Sequence, residues 1–402
     1  MLVVKKFGGS SVADKERIFN VARRCIEDYE KGNDVVVVLS AMGKTTDGLI
    51  AKAHEINPNP PKRELDMLLV TGEQVSVALM AMAMSSLGVP AVSLNAAQVV
   101  MHTSSAYGSA KLKRIDVERI RHELESRRIV IVTGFQGINK YDDFTTLGRG
   151  GSDTTAVALA AALHADVSEI YTDVEGVYTA DPRVVPNARK LAEVSYDEML
   201  EFASLGAKVL HNRSVEMAKK YGVKLVVLSS LTRAEGTIVK EETKVERTLI
   251  SGVAADTSVA RISVLGVENK PGITFRVFNL LAKNHINVDI IIQSVTEPGK
   301  KDISFTVAKT DLSDTMDLLR ENRESLTARE IVSEEGVAKL SVIGAGMCSN
   351  PGVAAKMFEA LYSADVNTEM IATSEIRITA LIDERDVKRA MRAVHDAFDL
   401  AD

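Results

Sequence analysis

Along the first 240 residues, short β-branched runs alternate with longer helical stretches. LVVKKF (2–7), DVVVVLSA (34–41), PAVSLN (90–95), RIVIVTGF (128–135), SEIYTD (168–173) and VKLVVLSS (223–230) read as strands. Several are apolar on both faces, as in a buried parallel sheet. Helices are predicted between them over 15–29, 63–86, 116–126, 154–164, 196–204 and 208–221. Alternating strand and helix predict an α/β fold, layered αβα around a mainly parallel sheet. The prolines of NPNPPK (57–62) break both periodicities and mark a surface loop.

A charged link, KEETKVER (240–247), ends this pattern, and the chain then repeats itself. RISVLG (261–266) resembles KLSVIG (339–344), and NKPGITFRVFNLLAKNHINVDIIIQS resembles SNPGVAAKMFEALYSADVNTEMIATS. Pro271/Pro351, Gly272/Gly352, Phe278/Phe358, Leu281/Leu361, Asn287/Asn367 and Ser294/Ser374 share one offset of eighty residues. Each unit reads strand, Pro-Gly turn, helix, strand, strand, helix: one ferredoxin-like βαββαβ module used twice. Proline suits the first turn of a helix, and glycine lets the backbone approach a ligand closely. The predicted division is 1–245, 246–335 and 336–402, within the two or three domains that 402 residues imply.

Composition narrows the function. A net charge of −6, no tryptophan and only 4% aromatic residues argue against a general nucleic-acid binder. Cys25 and Cys348 are too few and too far apart for a disulfide scaffold. The apolar run of MLVVKKFGGSS is too short for a signal peptide, and no run approaches the ~20 apolar residues of a membrane span. The expectation is a cytoplasmic protein with reduced thiols and neither nucleic-acid nor membrane partners. The seven histidines form no zinc constellation, and no G-x-S-x-G elbow exists.

Five stretches could carry chemistry. KFGGSS (6–11) joins the first strand to a helix, where a curled backbone and a helix N-terminus suit an anion. A tight turn with a surface lysine would look the same. SAMGKTTD (40–47) offers further N–H and hydroxyl donors, as would a plain turn with a helix cap. In LLVTGEQ, Glu73 lies among apolar residues, so its carboxylate must be solvated or paired. In GRGGSD (148–153), Arg149 offers a planar fork for a carboxylate or phosphate, and Gly150 and Gly151 clear a path to the backbone. Ser152 or Asp153 could be no more than an N-cap, which leaves the arginine and the glycines unexplained. YTDVEGVYTADPR (171–183) follows a strand; Tyr178 could cover a ring and Arg183 could reach a phosphate, or the segment is a loop with Asp-Pro punctuation.

Taken in order, KFGGSS, SAMGKTTD, LLVTGEQ, GFQGIN, TTLGRGGSDTTA, IYTDVEGVYTADPR and GAKVLH resemble the aspartate kinases, with paired C-terminal modules similar to ACT domains. The resemblance covers the whole chain. It implies a monofunctional member, since no homoserine-dehydrogenase half follows. It implies transfer of the γ-phosphoryl of ATP to the side-chain carboxylate of L-aspartate, the first step towards lysine, threonine and methionine. That nucleophile has an ordinary pKa of about 3.9 and is already ionised at neutral pH, so no general base is required. The protein must hold two anions together and stabilise charge on the transferring group.

The resemblance also assigns roles. Lys6 contacts the transferring phosphoryl, Asp153 orients Lys6, and Phe7, Gly8 and Gly9 lie along the phosphates. Arg149 grips the α-carboxylate of aspartate and Glu73 its ammonium. Thr46, Gly150, Gly151 and Ser152 complete the pocket. Thr172, Asp173, Tyr178, Arg183 and Lys208 match the nucleotide stretch, and Mg²⁺ binds mainly through ATP, with no protein ligand named. Family effector positions fall on Asn269, Lys270, Pro271, Gly272, Ile273, Thr274, Asn287, Val288, Asp289 and Gln293 in the first module, and on Asn367, Thr368, Ser374 and Glu375 in the second. The implied effector is lysine, threonine or both. Asn269 stands where some relatives carry Asp, ITF follows Pro271-Gly272 where some have smaller or acidic residues, and Asn212 replaces a common proline. ACT pairing implies a homodimer or homotetramer. The competing readings are a kinase of another small amino acid and a non-catalytic amino-acid sensor. The sensor predicts damage to Lys6, Arg149 or Asp153, and all three are present.

Overall fold

The computed structural model describes residues 1–205, 209–241, 250–345, 347 and 350–401. They divide into two units. The first takes Met1–Val177, Lys190–Ser204 and the described residues from 209 to 241. The second takes Tyr178–Arg189, Leu205 and the described residues from 250 onward.

In the first unit the main sheet runs Glu193–Ser195, Thr237–Lys240, Leu225–Ser229, Val167–Thr172, Leu2–Phe7, Asp34–Leu39, Ile129–Thr133, Ala91–Leu94. Every described pairing is parallel except that of Leu225–Ser229 with Thr237–Lys240. Val35, Val36, Val37, Val38 and all of Ile129–Val132 are buried, as a sheet covered on both faces requires. Phe7 pairs with Leu39 on one side and with Tyr171 on the other, so three strands end level. Ligands of such sheets bind beyond the carboxyl ends of the strands, where neighbouring connections diverge.

Burial alternates along the first strand. Lys5 points into the interior, 1% exposed, 2.6 Å from Asp28 Oδ2 and 2.5 Å from Glu169 Oε2. Burial works against its charge, but Glu169 and the groups around it outweigh burial and raise its pKa. Lys6 points the opposite way, as successive strand residues must.

Several boundaries differ from the sequence expectation. The stretch 63–86 forms two helices, Lys62–Leu69 and Thr71–Ser86, meeting at Val70. Together they are long and apolar enough to cross a membrane, contrary to the expectation that no run approaches that length. Half of the most apolar part is buried inside the protein, and Asp66 and Glu73 lie wholly inside. The helix expected from 154 begins at Gly151, so Ser152 and Asp153 are first-turn residues and not caps. The helix expected from 208 begins at Asn212. A helix at Thr45–Ile56 was not expected; it buries no residue, so it carries no apolar stripe to read. A small sheet, Leu112–Arg114, His102–Thr103, Gln136–Ile138, Phe144–Thr146, was not expected either. Cys25 is buried with a free thiol; Cys348 lies outside the described residues.

The second unit holds two antiparallel sheets. One runs Ile291–Glu297, Lys300–Ala308, Val259–Glu268, Glu330–Glu334; with the helices Ile273–Lys283 and Leu312–Glu321 it completes a βαββαβ module. The other runs Gly252–Asp256, Val337–Ile343, Arg377–Asp383, Met370–Thr373. Its outer strand, Gly252–Asp256, comes from before the first module in sequence. In both modules the glycine of the Pro-Gly pair is the helix N-cap with positive φ, 94° at Gly272 and 107° at Gly352. A β-carbon at either position would meet no protein atom within 4 Å, so backbone conformation and not packing within the chain favours glycine, and the proline lies outside the helix. The modules exchange ion pairs. Lys339 Nζ lies 2.5 Å from Asp289 Oδ2, and Arg261 Nη1 lies 2.9 Å from Glu369 Oε2. Asp289 and Glu369 are one repeat offset apart.

Candidate active site

The site is assembled where the first two strands of the main sheet end. Lys6 Nζ lies 2.7 Å from Asp153 Oδ1, and both side chains are 13% exposed. The contact is an ion pair without hydrogen-bond alignment. Gly8 stands beside this ammonium: a β-carbon there would lie 3.6 Å from Lys6 Nζ. Gly9 packs against the loop after the second strand, where a β-carbon would come within 2.5 Å of the Ala41 carbonyl oxygen. The same loop is tied to it by Gly43 N–H donating to Gly9 O at 3.0 Å. Phe7 is wholly buried and stacks on Tyr171 with ring centroids 4.3 Å apart, a wall rather than a surface contact.

The helix Gly151–Leu163 is made of small residues and is buried along most of its length. Its entry is fixed by geometry. Gly150 is its N-cap, left-handed at φ 66°, and a β-carbon there would overlap the His211 ring at 2.2 Å. Arg213 braces the turn by donating to the Leu147 and Ala110 carbonyls, each at 2.9 Å. Ser152 Oγ and Asp153 therefore face the first two strands from a positive helix end. Ser40 Oγ is 3.0 Å from Ser152 Oγ. Arg149, just outside the turn, is exposed and has no ion-pair partner among the described residues.

Glu73, in the first turn of Thr71–Ser86, is 2% exposed. Its Oε1 accepts from Ala41 N–H at 3.1 Å, while Oε2 has no hydrogen-bond partner among the described residues. Burial pushes its carboxyl up to about 7, against the pull of the Ala41 N–H. The expectation that this carboxylate is solvated or paired is met at Oε1 alone; the site leaves the other buried oxygen open. Thr46 lies in the first turn of Thr45–Ile56, half-buried, on the same loop as Ala41 and Gly43.

The expected nucleotide residues separate. Thr172 ends the strand beside Leu2–Phe7, and its hydroxyl donates to Asp173 Oδ1 at 3.0 Å. Tyr178 and Arg183 belong to the second unit. Tyr178 packs against that unit's apolar core, and Arg183 Nη2 lies 2.8 Å from Asp181 Oδ2, an exposed pair. Lys208 lies outside the described residues.

The expected effector residues form two clusters. Thr274 Oγ1 donates to Gln293 Oε1 at 3.0 Å and accepts from the buried Lys301 Nζ at 2.9 Å. Asn269 N–H donates to Gly299 O, and Lys270 pairs with Glu268 at 3.0 Å. Pro271, Gly272 and Ile273 form the entry to the helix Ile273–Lys283. Asn287 and Val288 lead into Asp289, whose carboxylate is held by Lys339. In the second module Asn367 and Thr368 lead into Glu369, and Ser374 N–H donates to Arg377 O at 2.8 Å beside Glu375.

Sequence reasoning missed Ser40, the Ala41 N–H, His211 and Arg213. Ser40, Ala41 and His211 lie in stretches already singled out, SAMGKTTD and GAKVLH, with no role named for them, but Arg213 acts through packing that no local motif signals.

Residues 1–229 match the amino acid kinase family, and residues 260–324 and 340–398 each match the ACT domain. An aspartokinase of Bacillus sp. (strain MGA3) is 52% identical over 401 residues, covering 100% of this chain and 98% of the relative. The structure of E. coli aspartokinase III in complex with aspartate and ADP (R-state) is 28% identical, covers 99% of each chain and superposes with a TM-score of 0.85. The same E. coli protein in complex with lysine and aspartate (T-state) superposes at 0.78, again with 28% identity and 99% coverage of both chains.

Proposed function

Since the chain belongs to the aspartokinase family, we propose that the strand ends around Lys6 and Asp153 are its phosphoryl-transfer site. The reaction is the ATP-dependent phosphorylation of the side-chain carboxylate of L-aspartate, the first step of the pathway to lysine, threonine and methionine, with feedback through the ACT domains. A carboxylate nucleophile arrives ionised, so the site's task is to align it and to neutralise charge that spreads over the transferring group.

The observation that carries the assignment of roles is the 2.7 Å pair between Lys6 and Asp153. A strand-end lysine held by a helix-start carboxylate is a positive group with a fixed position, suited to oxygens that gain charge only in the transition state. Gly8 and Gly9 clear the phosphate path beside it. Glu73 supplies the open buried oxygen that an ammonium would satisfy. Arg149, exposed and unpaired among the described residues, is free to take the α-carboxylate as a fork. Thr46, Gly150, Gly151 and Ser152 complete the substrate side. Thr172 and Asp173 stand at the nucleotide side, with Phe7 as the wall behind. Tyr178, Arg183 and Lys208 keep their nucleotide role as part of this reading.

Mg²⁺ is read as an ion carried by the nucleotide, with no protein ligand named; Asp153 is engaged by Lys6, and among the described residues no group of three or more His, Cys, Asp or Glu side chains is arranged to hold a metal ion. When bound it neutralises phosphate charge. On the same reading 1–245 is the catalytic domain and 246–335 and 336–402 the ACT domains, the effector is lysine, threonine or both, and the chains pair through ACT modules. A cytoplasmic location suits the free buried thiol and the apolar helices folded half into the protein.

ATP consumption with L-aspartate, with and without lysine and threonine, tests the reading. L-Aspartate should support turnover and other small amino acids should not. Absence of turnover in a folded protein would favour the sensor; turnover preferring another acid would reassign the pocket.

A further inference from the structure

Asp66, in the helix Lys62–Leu69, carries a carboxylate buried to 1% exposure, and no cation pairs with it among the described residues. Neutral donors hold it instead. Gly108 N–H lies 3.1 Å from Oδ1 and 2.9 Å from Oδ2. Thr146 N–H donates to Oδ2 at 2.9 Å, and the Thr146 hydroxyl donates to Oδ1 at 2.8 Å. An amide N–H can only donate and an ionised carboxylate can only accept, so the ionised form satisfies every one of these groups. An apolar side chain would fill the same space without burying a charge. What the carboxylate adds is a fixed distance and direction to two backbone amides.

A second tie lies one helical turn further along. Gln136, wholly buried, donates from Nε2 to Val70 O at 3.1 Å, at the junction with the helix Thr71–Ser86. Gln136 and Thr146 face each other across the strands Gln136–Ile138 and Phe144–Thr146. Asp66 and Val70 are therefore fastened to the two members of one cross-strand pair. The helical bonding runs on through the junction, with Val70 N–H donating to Asp66 O at 3.1 Å. The substrate side of the site follows directly from both fastenings. Glu73 comes seven residues after Asp66, two helical turns on. Arg149 comes three residues after Thr146, and the Leu147 carbonyl between them is held by Arg213. All of these residues belong to the first unit.

We propose that Asp66 is a positioning residue: by binding Gly108 and Thr146 it fixes the separation of Glu73 and Arg149, and with it the grip on the two charges of the amino acid. This rests on the reading that Glu73 meets the ammonium and Arg149 the α-carboxylate. Those two groups sit on one carbon of the substrate, so their separation is constant. Holders that drift relative to each other cannot satisfy both at once. A separation set in advance spares part of the ordering that binding would otherwise require. It also aims the third group, the side-chain carboxylate, at the transferring phosphoryl. None of the described residues read as nucleotide contacts is hydrogen-bonded to Asp66, so the effect falls on the amino acid.

The test is steady-state kinetics of the full-length enzyme with Asp66→Asn, which keeps the shape, removes the charge and turns an NH₂ group towards amides that can only donate. Asp66→Asn should raise the KM for aspartate about tenfold or more, with the KM for ATP within about twofold and a smaller fall in kcat. Thr146→Val removes one donor to the same carboxylate and should act in the same direction, by less; Thr146→Ser keeps the hydroxyl and should restore the parent value. A merely structural role would lose folded enzyme, lowering the apparent kcat with both KM values unchanged. That result, or an equal rise in both KM values, overturns the proposal. Glu73→Gln and Arg149→Ala separate the two levels. If they raise the KM for aspartate while Asp66→Asn does not, the site reading stands and the positioning role falls. If they leave it unchanged, the site reading falls and takes the proposal with it. Should Asp66→Asn not fold, the Thr146 pair decides: an unchanged KM for aspartate in folded Thr146→Val overturns the proposal.

Discussion

Lys6 Nζ and Asp153 Oδ1 stand 2.7 Å apart, one at the end of the first strand and the other in the first turn of a buried helix. The two are equally sheltered, and neither belongs to the buried Lys5 cluster on the opposite face. Lys6→Ala should therefore cut kcat by roughly a hundred- to a thousand-fold, the usual range for one lost transition-state partner, while thermal unfolding shifts little. Asp153→Asn keeps the shape and removes the charge that holds the ammonium; it should also lower kcat, by less. A Lys6→Ala enzyme with normal turnover would remove Lys6 from the mechanism.

The neighbouring lysine gives the matching control. Lys5→Met leaves Asp28 and Glu169 without their shared cation in the interior. Breaking a buried pair in this way costs on the order of 3–5 kcal/mol. Denaturant midpoints should separate the two variants: Lys5→Met strongly destabilised, Lys6→Ala near the parent. Equal stabilities would mean that water or a rearrangement compensates the buried carboxylates.

Arg149 has no ion-pair partner among the described residues, so truncating it should leave the fold intact. Arg149→Ala should raise the KM for aspartate by at least tenfold, a loss of about 1.4 kcal/mol or more in charge-assisted binding, and move the KM for ATP much less. The reverse pattern would place the guanidinium on the nucleotide.

Much of this was legible in the chain because the central strands are short apolar runs bounded by glycine and polar residues; Leu2–Phe7 has the limits its sequence suggests. Helices without an apolar stripe escaped, as Thr45–Ile56 shows. The GRGGSD stretch reads as an anion-binding turn in which Ser152 or Asp153 could be no more than a cap; sequence does not reveal that Gly150 is itself the cap, in a left-handed conformation. Long-range packing was illegible. Nothing local tells that Tyr178–Arg189 joins the second unit or that Gly252–Asp256 completes the second ACT sheet.

Gly150 makes that illegible packing testable. Its φ of 66° and the 2.2 Å approach to the His211 ring each oppose a side chain. Gly150→Ala should shift the start of the helix, displacing Ser152 and Asp153. Turnover should fall at least tenfold. Adding His211→Gly, which removes the obstructing ring but not the backbone strain, should recover part of it. No recovery would show that the left-handed conformation alone requires glycine.

Glu73 ties the site to pH. Its carboxyl is pushed up to about 7 by burial, so in the free enzyme near pH 6 it is mostly protonated. A neutral carboxyl cannot pair with the substrate ammonium. The KM for aspartate should therefore fall as pH rises from 6 to 8, by about tenfold in all and mostly below pH 7, while the KM for ATP follows no such course. Glu73→Gln should hold the KM for aspartate high and flat across this range. Stability runs the other way. A carboxyl whose folded pKa exceeds its unfolded value stabilises fully below the unfolded pKa of about 4.5, and that contribution is lost as pH rises through about 7. Without aspartate, the parent's melting temperature should decline from pH 5 to pH 8 relative to Glu73→Gln, and saturating aspartate should reverse the difference at pH 8. A KM for aspartate that ignores pH in the parent enzyme would mean that Glu73 is not the group that meets the ammonium.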